Sequence, residues 1–299
     1  MLIGLLVVGG LASSVWSGPI PSPLHGVNIS TTVRKDRGTK IFTYQYRVVN
    51  PPTNDGQIWS VDIEITREPG EAVLTGEGLV NGPRYMRHSS ENAIQRVPMV
   101  PVGISEPEGW ISILGFDGGT PPRGLAGWGS NEVSRIPPGQ TLEGFQLTSY
   151  GLPGIRAAQI QPDIDYDNLP DEFAEDLEKN RALRDSLIFH TRTVGPKAPP
   201  ATFVPLEFLN YLITLVHDSR QQGWITRDGA KTSLLAKLTN AKRKLEAGDT
   251  KVTKNMLKGF LNEVEATSCQ EFDCPGNKPL TSEAYALLFF NGQFLWERL

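Results

Sequence analysis

The fold of the last third of the chain is decided by four stretches: residues 206–216 (LEFLNYLITLV), 234–245 (LLAKLTNAKRKL), 252–264 (VTKNMLKGFLNEV) and 284–295 (AYALLFFNGQFL). In each stretch apolar residues recur every three or four positions, which is the period of an α-helix with one buried face. The links between the stretches are short, and short links make neighbouring helices antiparallel. Residues 205–299 are therefore predicted to form an up-down four-helix bundle.

Four phrases of this region are similar to those of a known family. They are SLLAKLTNAK from Ser233, LEAGD from Leu245, FLNEV from Phe260 and LTSEAY from Leu280. The region resembles the FIMAH family of extracellular bacterial helical domains. That resemblance implies a non-catalytic accessory module appended to secreted proteins, and it brings no active-site residues with it.

The first two thirds of the chain show the alternation of β-strands. Apolar and polar residues alternate in residues 42–48 (FTYQYRV) and 59–65 (WSVDIEI), as they do in half-buried strands, and the pair predicts a hairpin. Further short apolar runs are separated by Gly, Pro and Asn. Residues 24–193 are therefore predicted to form an antiparallel β-sandwich, which makes the chain an α+β multidomain protein.

Four phrases of the β region are similar to those of exported bacterial sandwich domains of adhesion or anchor type: residues 44–50 (YQYRVVN), 109–110 (GW), 136–145 (IPPGQTLEGF) and 152–154 (LPG). This resemblance implies only the fold. An acidic segment near residues 163–185 is predicted to be helical, and the proline-rich residues 194–204 are predicted to be a stiff linker.

The N-terminus is typical of an exported protein. Residues 2–12 are an apolar run too short to span a bilayer, and Val15 and Ser17 fit the positions before a cleavage site. Residues 1–17 are predicted to be a signal peptide, although no Lys or Arg precedes the apolar run. A start inside a longer signal and a buried first strand are the alternatives. We expect a secreted or periplasmic protein with no transmembrane anchor in the mature chain.

The charge of the chain argues against general nucleic-acid binding. Its formal net charge is -4 and its pI is about 5.7, whereas binding to phosphates needs a clustered positive field. Basic residues do cluster in the second and third predicted helices, at Lys231, Lys237, Lys242, Arg243, Lys244, Lys251, Lys254 and Lys258. They are either the solvated faces of two amphipathic helices or a surface for an anionic glycan, a teichoic acid or a lipid headgroup.

The chain has two cysteines, Cys269 and Cys274, in a loop with Gly and Pro between the third and fourth predicted helices. Their spacing predicts a local disulfide, which agrees with an oxidising compartment. A zinc site would need further His or Cys ligands nearby, and the C-x-x-C spacing of redox proteins is absent.

The acidic run 163–171 (DIDYDNLPD) places carboxylates at nearly alternate positions: Asp163, Asp165, Asp167 and Asp171. Oxygen ligands in this pattern are typical of a loop around calcium. The EF-hand pattern is not met, because Asn168 replaces the required Gly and Ala174 replaces the bidentate Glu. The run is therefore either a weak calcium site or a solvated turn that leads into a helix.

The Gly-rich segment 109–129 has the composition of a ligand-binding loop. Trp128, between two glycines, is predicted to be an exposed platform for a sugar ring, with Asp117 and Arg123 as partners for hydroxyl groups. Trp110 begins a strand-like run and is predicted to be buried. The alternative is that the whole segment is a Trp-anchored core and a long hairpin turn.

Motifs of nucleophilic catalysis are absent from the sequence. A glycosidase needs only two carboxylates about 5 to 10 Å apart. Nominal candidates are Glu106, Glu108, Asp117 and Glu132. We expect an exported, non-catalytic binding or surface-association protein, with a carbohydrate or another cell-envelope component as its ligand and with no cofactor except calcium. The alternatives are a secreted polysaccharide hydrolase with a β-sandwich catalytic domain, and a structural envelope component.

Overall fold

The computed structural model describes residues 22–79, 97–117, 120–164, 177–273 and 276–299. The predicted signal peptide, residues 1–17, lies outside these ranges. Asp165, Asp167, Asp171 and Cys274 also lie outside them.

Strands of the described ranges form two antiparallel sheets. The strands are β1 (Asn28–Lys35), β2 (Phe42–Val49), β3 (Ile58–Glu64), β4 (Gly103–Ser105), β5 (Trp110–Phe116), β6 (Gly124–Ser130), β7 (Thr141–Ser149), β8 (Leu152–Pro162) and β9 (Phe189–Lys197). The order is β1-β2-β7-β4 in the four-stranded sheet and β5-β6-β3-β8-β9 in the five-stranded sheet. Apolar residues of both sheets share one core, so the predicted antiparallel sandwich is confirmed.

The predicted hairpin between residues 42–48 and 59–65 is wrong. β2 pairs with β1 and β7, whereas β3 pairs with β6 and β8, so residues 50–57 cross from one sheet to the other. The register of β3 also shifts between Ile58 and Ser60, which leaves Ile58 buried and Trp59 41% exposed. A period of two shows that a strand has one buried face, but it does not identify the sheet.

Four aromatic side chains pack in the centre of the sandwich: Tyr46, Trp110, Trp128 and Phe145. The Trp128 ring lies 5.6 Å from Phe145 and 5.9 Å from Tyr46, and Trp110 meets Phe145 edge-on at 4.9 Å. The indole N–H groups of Trp110 and Trp128 donate to the carbonyls of Ser134 and Ser105, at 2.9 and 2.8 Å. Both tryptophans can therefore be buried without an unpaired donor.

Helices make up the C-terminal third, as predicted. Helix α1 (Leu177–Leu187) precedes β9, and α2 (Pro205–Gln221), α3 (Asp228–Glu246) and α4 (Thr250–Thr267) follow it. The fourth predicted helix consists of α5 (Ser282–Tyr285), a π-helical turn (Ala286–Phe290) and α6 (Asn291–Arg298), which together are called the C-terminal helix. It packs on α2 and α4, while α3 also packs on both. In the described ranges no helix has the length and apolar content that a bilayer span requires.

The predicted linker, residues 194–204, is not a free tether. Strand β9 extends to Lys197, because Gly195 and Pro196 pair with Gly154 and Pro153 of β8. The next residues bind the loop after β3: Ala72 N–H donates to Pro199 O at 2.8 Å, and Ala201 N–H donates to Gly70 O at 2.9 Å. The proline content of residues 194–204 predicted a stiff spacer. Local composition could not predict these backbone hydrogen bonds, because their partners are distant in sequence.

Candidate ligand site between the two regions

The helical region is joined to the sandwich by buried polar and aromatic contacts. Glu283 Oε1 accepts a 2.7 Å hydrogen bond from the backbone N–H of Thr31, and Asn291 Nδ2 donates to Pro153 O at 2.8 Å. The Phe290 ring meets Phe42 edge-on at 5.2 Å. These contacts hold the C-terminal helix against both sheets.

A cleft of about 290 Å³ lies at this junction. We call it the interdomain cleft, and it is lined by residues 68–71, 152, 153, 197–200, 202, 204, 207, 208, 211 and 291. Ligand sites for small molecules span about 300 to 1,000 Å³, so this cleft matches the lower end of that range.

An ion cluster forms the polar side of the cleft. Lys197 Nζ lies 2.9 Å from Glu68 Oε2 and 3.4 Å from Glu71 Oε1. The side chain of Glu71 is only 7% exposed, and its other oxygen accepts from the backbone N–H of Glu68 at 3.1 Å. The hydrogen bond from Lys197 holds the pKa of the Glu68 carboxyl below its ordinary value. Because the three groups bind one another, their positions in the cleft are set before any ligand arrives.

Arg156 supports this cluster from inside the sandwich. It is 3% exposed, and its guanidinium donates to Pro196 O at 2.9 and 2.7 Å and to Thr66 O at 3.0 Å. Pro196 precedes Lys197, and Thr66 lies two positions before Glu68. Arg156 therefore ties together the two chain segments that carry the ion cluster.

Aromatic residues of α2 form the apolar side of the cleft. The rings of Phe208 and Tyr211 lie 5.6 Å apart, and Lys197 Nζ lies 6.0 Å from the Tyr211 ring. Burial raises the pKa of the Tyr211 hydroxyl, which therefore stays protonated and can donate a hydrogen bond. In the described ranges this hydroxyl has no hydrogen-bond partner, and neither has the carboxylate of Glu207 at the rim.

The prediction that Trp128 is an exposed platform is wrong. Trp128 is 1% exposed, and Ala126, two positions earlier on β6, is fully buried. Successive side chains of a strand point to opposite faces, so the glycines that flank Trp128 clear space on the outer face and not around its ring. The prediction that Trp110 is buried is confirmed, with 4% exposure.

The other two candidates of the Gly-rich segment do lie together, but they bind each other. Arg123 Nε lies 2.6 Å from Asp117 Oδ2, and the Arg123 N–H donates to Asp117 Oδ1 at 2.7 Å. Their backbones also pair, since Asp117 N–H donates to Arg123 O at 3.0 Å. The pair closes the ends of β5 and β6, as a hairpin requires.

The nominal catalytic carboxylates lie outside the interdomain cleft. Glu106 accepts a 2.7 Å hydrogen bond from Ser112 Oγ, Glu108 and Glu132 are exposed, and Asp117 is bound to Arg123. None of the four lines the interdomain cleft.

Of the acidic run proposed for calcium, only Asp163 falls in the described ranges, and it forms a 2.7 Å ion pair with Arg135. Asp165, Asp167 and Asp171 lie outside them. The described residues contain no cluster of three or more metal-ligating side chains. Calcium binding by the whole run stays a prediction.

A carboxylate that sequence reasoning missed lies on the outer face of the five-stranded sheet. Asp62 of β3 is opposite Gly127 of β6, and its carboxylate occupies the space that a Cβ at position 127 would need. Burial raises the pKa of Asp62 to about 6. Long hydrogen bonds from Gln161 at 3.3 Å and Ser60 at 3.4 Å lower the pKa by less than burial raises it. The glycine that suggested ligand access instead makes room for Asp62.

The loop that carries the cysteines packs on the outer face of the four-stranded sheet. Arg47 of β2 binds Asp273 at 2.6 Å and stacks on Phe272 with its guanidinium 4.7 Å from the ring centre. Cys269 is 7% exposed, and in the described ranges it is not a free thiol. Cys274 lies outside those ranges, so the pairing of Cys269 with Cys274 stays a prediction.

The helical region is similar to a known family of domains. Residues 209–289 match the FIMAH domain. This match confirms the resemblance seen in the sequence, and it covers α2 from Leu209 onward, α3, α4 and the first half of the C-terminal helix. The FIMAH domain thus contributes Tyr211 to the interdomain cleft, while the ion cluster belongs to the sandwich.

Comparisons beyond the FIMAH domain are distant. No curated protein matches the chain. An uncharacterised protein from Nocardia farcinica with an immunoglobulin-like fold is 8% identical, over 45% of this chain and 77% of that one, with a TM-score of 0.26. A chain of the type VI secretion system TssK-TssF-TssG baseplate subcomplex is 12% identical, over 90% of this chain and 85% of that one, with a TM-score of 0.17. At these TM-scores neither similarity bears on function.

Proposed function

We propose that this protein is an exported, non-catalytic binding protein that holds a carbohydrate unit of the cell envelope in the interdomain cleft. The observation that carries the proposal is the Glu68–Lys197–Glu71 cluster on one side of the cleft with Tyr211 on the other. Sugars present hydroxyl groups at their edges and apolar C–H groups on their faces. A site that combines fixed charged hydrogen-bonding groups with an aromatic wall suits both.

Polar groups are available to a ligand at both ends of the cleft. The Glu68 carboxylate is 58% exposed although it binds Lys197, and the Tyr211 hydroxyl and the Glu207 carboxylate have no partner in the described part of the chain. Hydrogen bonds that involve a charged group are the stronger ones, at about 1.5 to 3 kcal/mol. Proline residues 69, 199 and 200 add stiff apolar surface between these groups.

The charge state of the cleft favours binding over hydrolysis. A glycosidase needs one carboxyl whose pKa is raised, so that it can protonate the leaving oxygen. Lys197 instead lowers the pKa of Glu68, the exposed carboxyl of the cluster. A carboxylate that stays ionised accepts hydrogen bonds from sugar hydroxyls but is a poor general acid.

The FIMAH match and the predicted signal peptide both support a location outside the cytoplasm. A ligand in the cell envelope would be within reach there. The proposed ligand class is the one that the sequence predicted for the Gly-rich segment, and its proposed site is the interdomain cleft.

The proposal is tested by a glycan-array screen of the full protein, followed by calorimetry with the best ligand. Tyr211→Phe and Glu68→Gln should each weaken binding by about 10-fold, since the first removes a hydrogen-bond donor and the second replaces a charge-assisted hydrogen bond with a weaker neutral one. Matched controls are Tyr150→Phe, whose hydroxyl binds Glu77 O away from the cleft, and Glu64→Gln on β3. Both controls should bind as the parent does.

A parallel assay for released reducing sugar separates binding from hydrolysis. We expect no release from any polysaccharide that binds. Release that disappears in Glu68→Gln would establish the hydrolase alternative, and binding unaffected by both cleft variants would refute the cleft as the site.

A further inference from the structure

A basic surface lies where α3 ends and α4 begins. Residues 242–258 contain six Lys or Arg residues and two acidic residues, whereas the whole chain carries a formal net charge of -4. The basic residues occupy the last turn of α3 and the first turns of α4, which are joined by a short turn and therefore lie side by side. Positive charge is thus concentrated on one surface of an acidic protein.

The lysines of α4 form a single row. Lys251, Lys254 and Lys258 are spaced by three and four positions, which puts them on the same side of a helix. Within the described ranges none of the three has a carboxylate partner. On α3, Lys242 Nζ lies 3.9 Å from Glu246 Oε1, a long contact that is the one ion pair among residues 242–258, all of which are described. Most of its positive charge is therefore open to a partner.

An exposed tryptophan borders this row. Trp296 of the C-terminal helix is 37% exposed, and Lys254 Nζ lies 5.5 Å from the centre of its ring. Tryptophan side chains favour the boundary between water and lipid, because one end is apolar and the other carries a polar N–H. Neighbouring lysines at this boundary would be attracted to anionic headgroups.

We propose that this surface, Lys251, Lys254 and Lys258 with Trp296 at its border, docks on the headgroups of an anionic phospholipid bilayer. The lysine row of α4 supplies the positive charge that attracts anionic headgroups, and the exposed Trp296 beside Lys254 can enter the headgroup layer. The proposal is independent of the interdomain cleft. It places the attachment surface on α4 and the C-terminal helix.

Sedimentation of the full protein with vesicles tests the proposal. Vesicles of phosphatidylcholine with 30% phosphatidylglycerol should bind the protein, and pure phosphatidylcholine vesicles should not. The triple variant Lys251→Gln, Lys254→Gln, Lys258→Gln should bind about 100-fold more weakly, since each lysine lost near an anionic surface weakens binding about 5-fold. Raising the salt from 50 to 500 mM should also release the parent protein.

The control for the triple variant removes the same charge elsewhere. Arg37→Gln, Lys40→Gln and Arg192→Gln alter three exposed residues of the sandwich and should leave vesicle binding within about 3-fold of the parent. Trp296→Ala should weaken binding, whereas Trp59→Ala, at the 41% exposed tryptophan of the sandwich, should not. Equal losses in the triple variant and its control would overturn the proposal. Binding to soluble polyphosphate without binding to anionic vesicles would also overturn it.

Discussion

The carboxylate of Glu283 accepts a 2.7 Å hydrogen bond from the backbone N–H of Thr31, 252 positions earlier in the chain. Thr31 lies on β1, at the edge of the four-stranded sheet, where backbone groups lack a neighbouring strand. Its hydroxyl lies 2.7 Å from that of Thr193 on β9, at the edge of the other sheet. Both sheets and the FIMAH domain therefore meet at one buried point.

Replacing Glu283 with Ala should lower the free energy of unfolding by about 1 to 3 kcal/mol, because the buried Thr31 N–H would lose its acceptor. Glu283→Gln is the control, since its amide oxygen can accept the same hydrogen bond. Urea unfolding of both variants measures the difference. Equal stability of the Ala and Gln variants would show that the contact contributes little.

Replacing Trp128 with Ala should lower the free energy of unfolding by about 3 to 5 kcal/mol, as expected for a large aromatic side chain in a core. Trp59→Ala, at a site that is 41% exposed, should change it by less than about 0.5 kcal/mol. Thermal and chemical unfolding of the two variants test this. A Trp128→Ala protein with the stability of the parent would contradict the burial seen here.

Asp62 should make stability depend on pH. Its pKa is about 6 in the folded protein and near the ordinary value of 3.8 in the unfolded chain, so the folded state binds the proton more tightly. The free energy of unfolding should therefore fall as the pH rises from about 4 to 6, by about 2 to 3 kcal/mol, and then level off.

Asp62→Asn should remove this dependence, because the amide does not titrate. The variant should be more stable than the parent at pH 7, and the difference should shrink as the pH falls towards 4. Unfolding curves measured at several pH values would decide it. A parent and a variant with parallel pH profiles would show that Asp62 is not the responsible group.

The cysteines should form one local disulfide. Thiol titration of the denatured, unreduced protein should find no free thiol, and finding two would end the prediction. Closing so short a loop contributes about 2 kcal/mol in the loop-closure model. Because Phe272 and Asp273 of this loop contact Arg47, the double variant Cys269→Ser, Cys274→Ser should loosen the loop from the sheet while the helices stay folded.

Local sequence patterns predicted the strands and helices, but they did not predict the ligand site. The alternation in residues 42–48 predicted β2 correctly, and helical spacing predicted the helical C-terminal third, because both patterns report which side of an element is buried. Alternation of side chains between the two faces of β6 would have placed Trp128 on the same buried face as Ala126. The glycines beside it suggested exposure, yet one of them accommodates the carboxylate of Asp62.

The cleft could not be predicted in this way. Nothing in the sequence connects Glu68 and Glu71 with Lys197, which falls in a stretch that was predicted to be a linker. Tyr211 gave only the weak signal of an aromatic residue on an amphipathic helix. The ion cluster exists because β8 and β9 pair at their ends and Arg156 binds both neighbouring segments.

By itself the sequence determined the two kinds of structure, their order along the chain and the FIMAH region, because these follow from hydrophobic period and from local motifs. Only the tertiary structure decided which sheet each strand joins, that Trp128 is buried and Trp59 is not, and that charged and aromatic residues more than 100 positions apart line one cleft. Those outcomes depend on pairing and packing between distant segments, whose free energies have no local signature in the sequence.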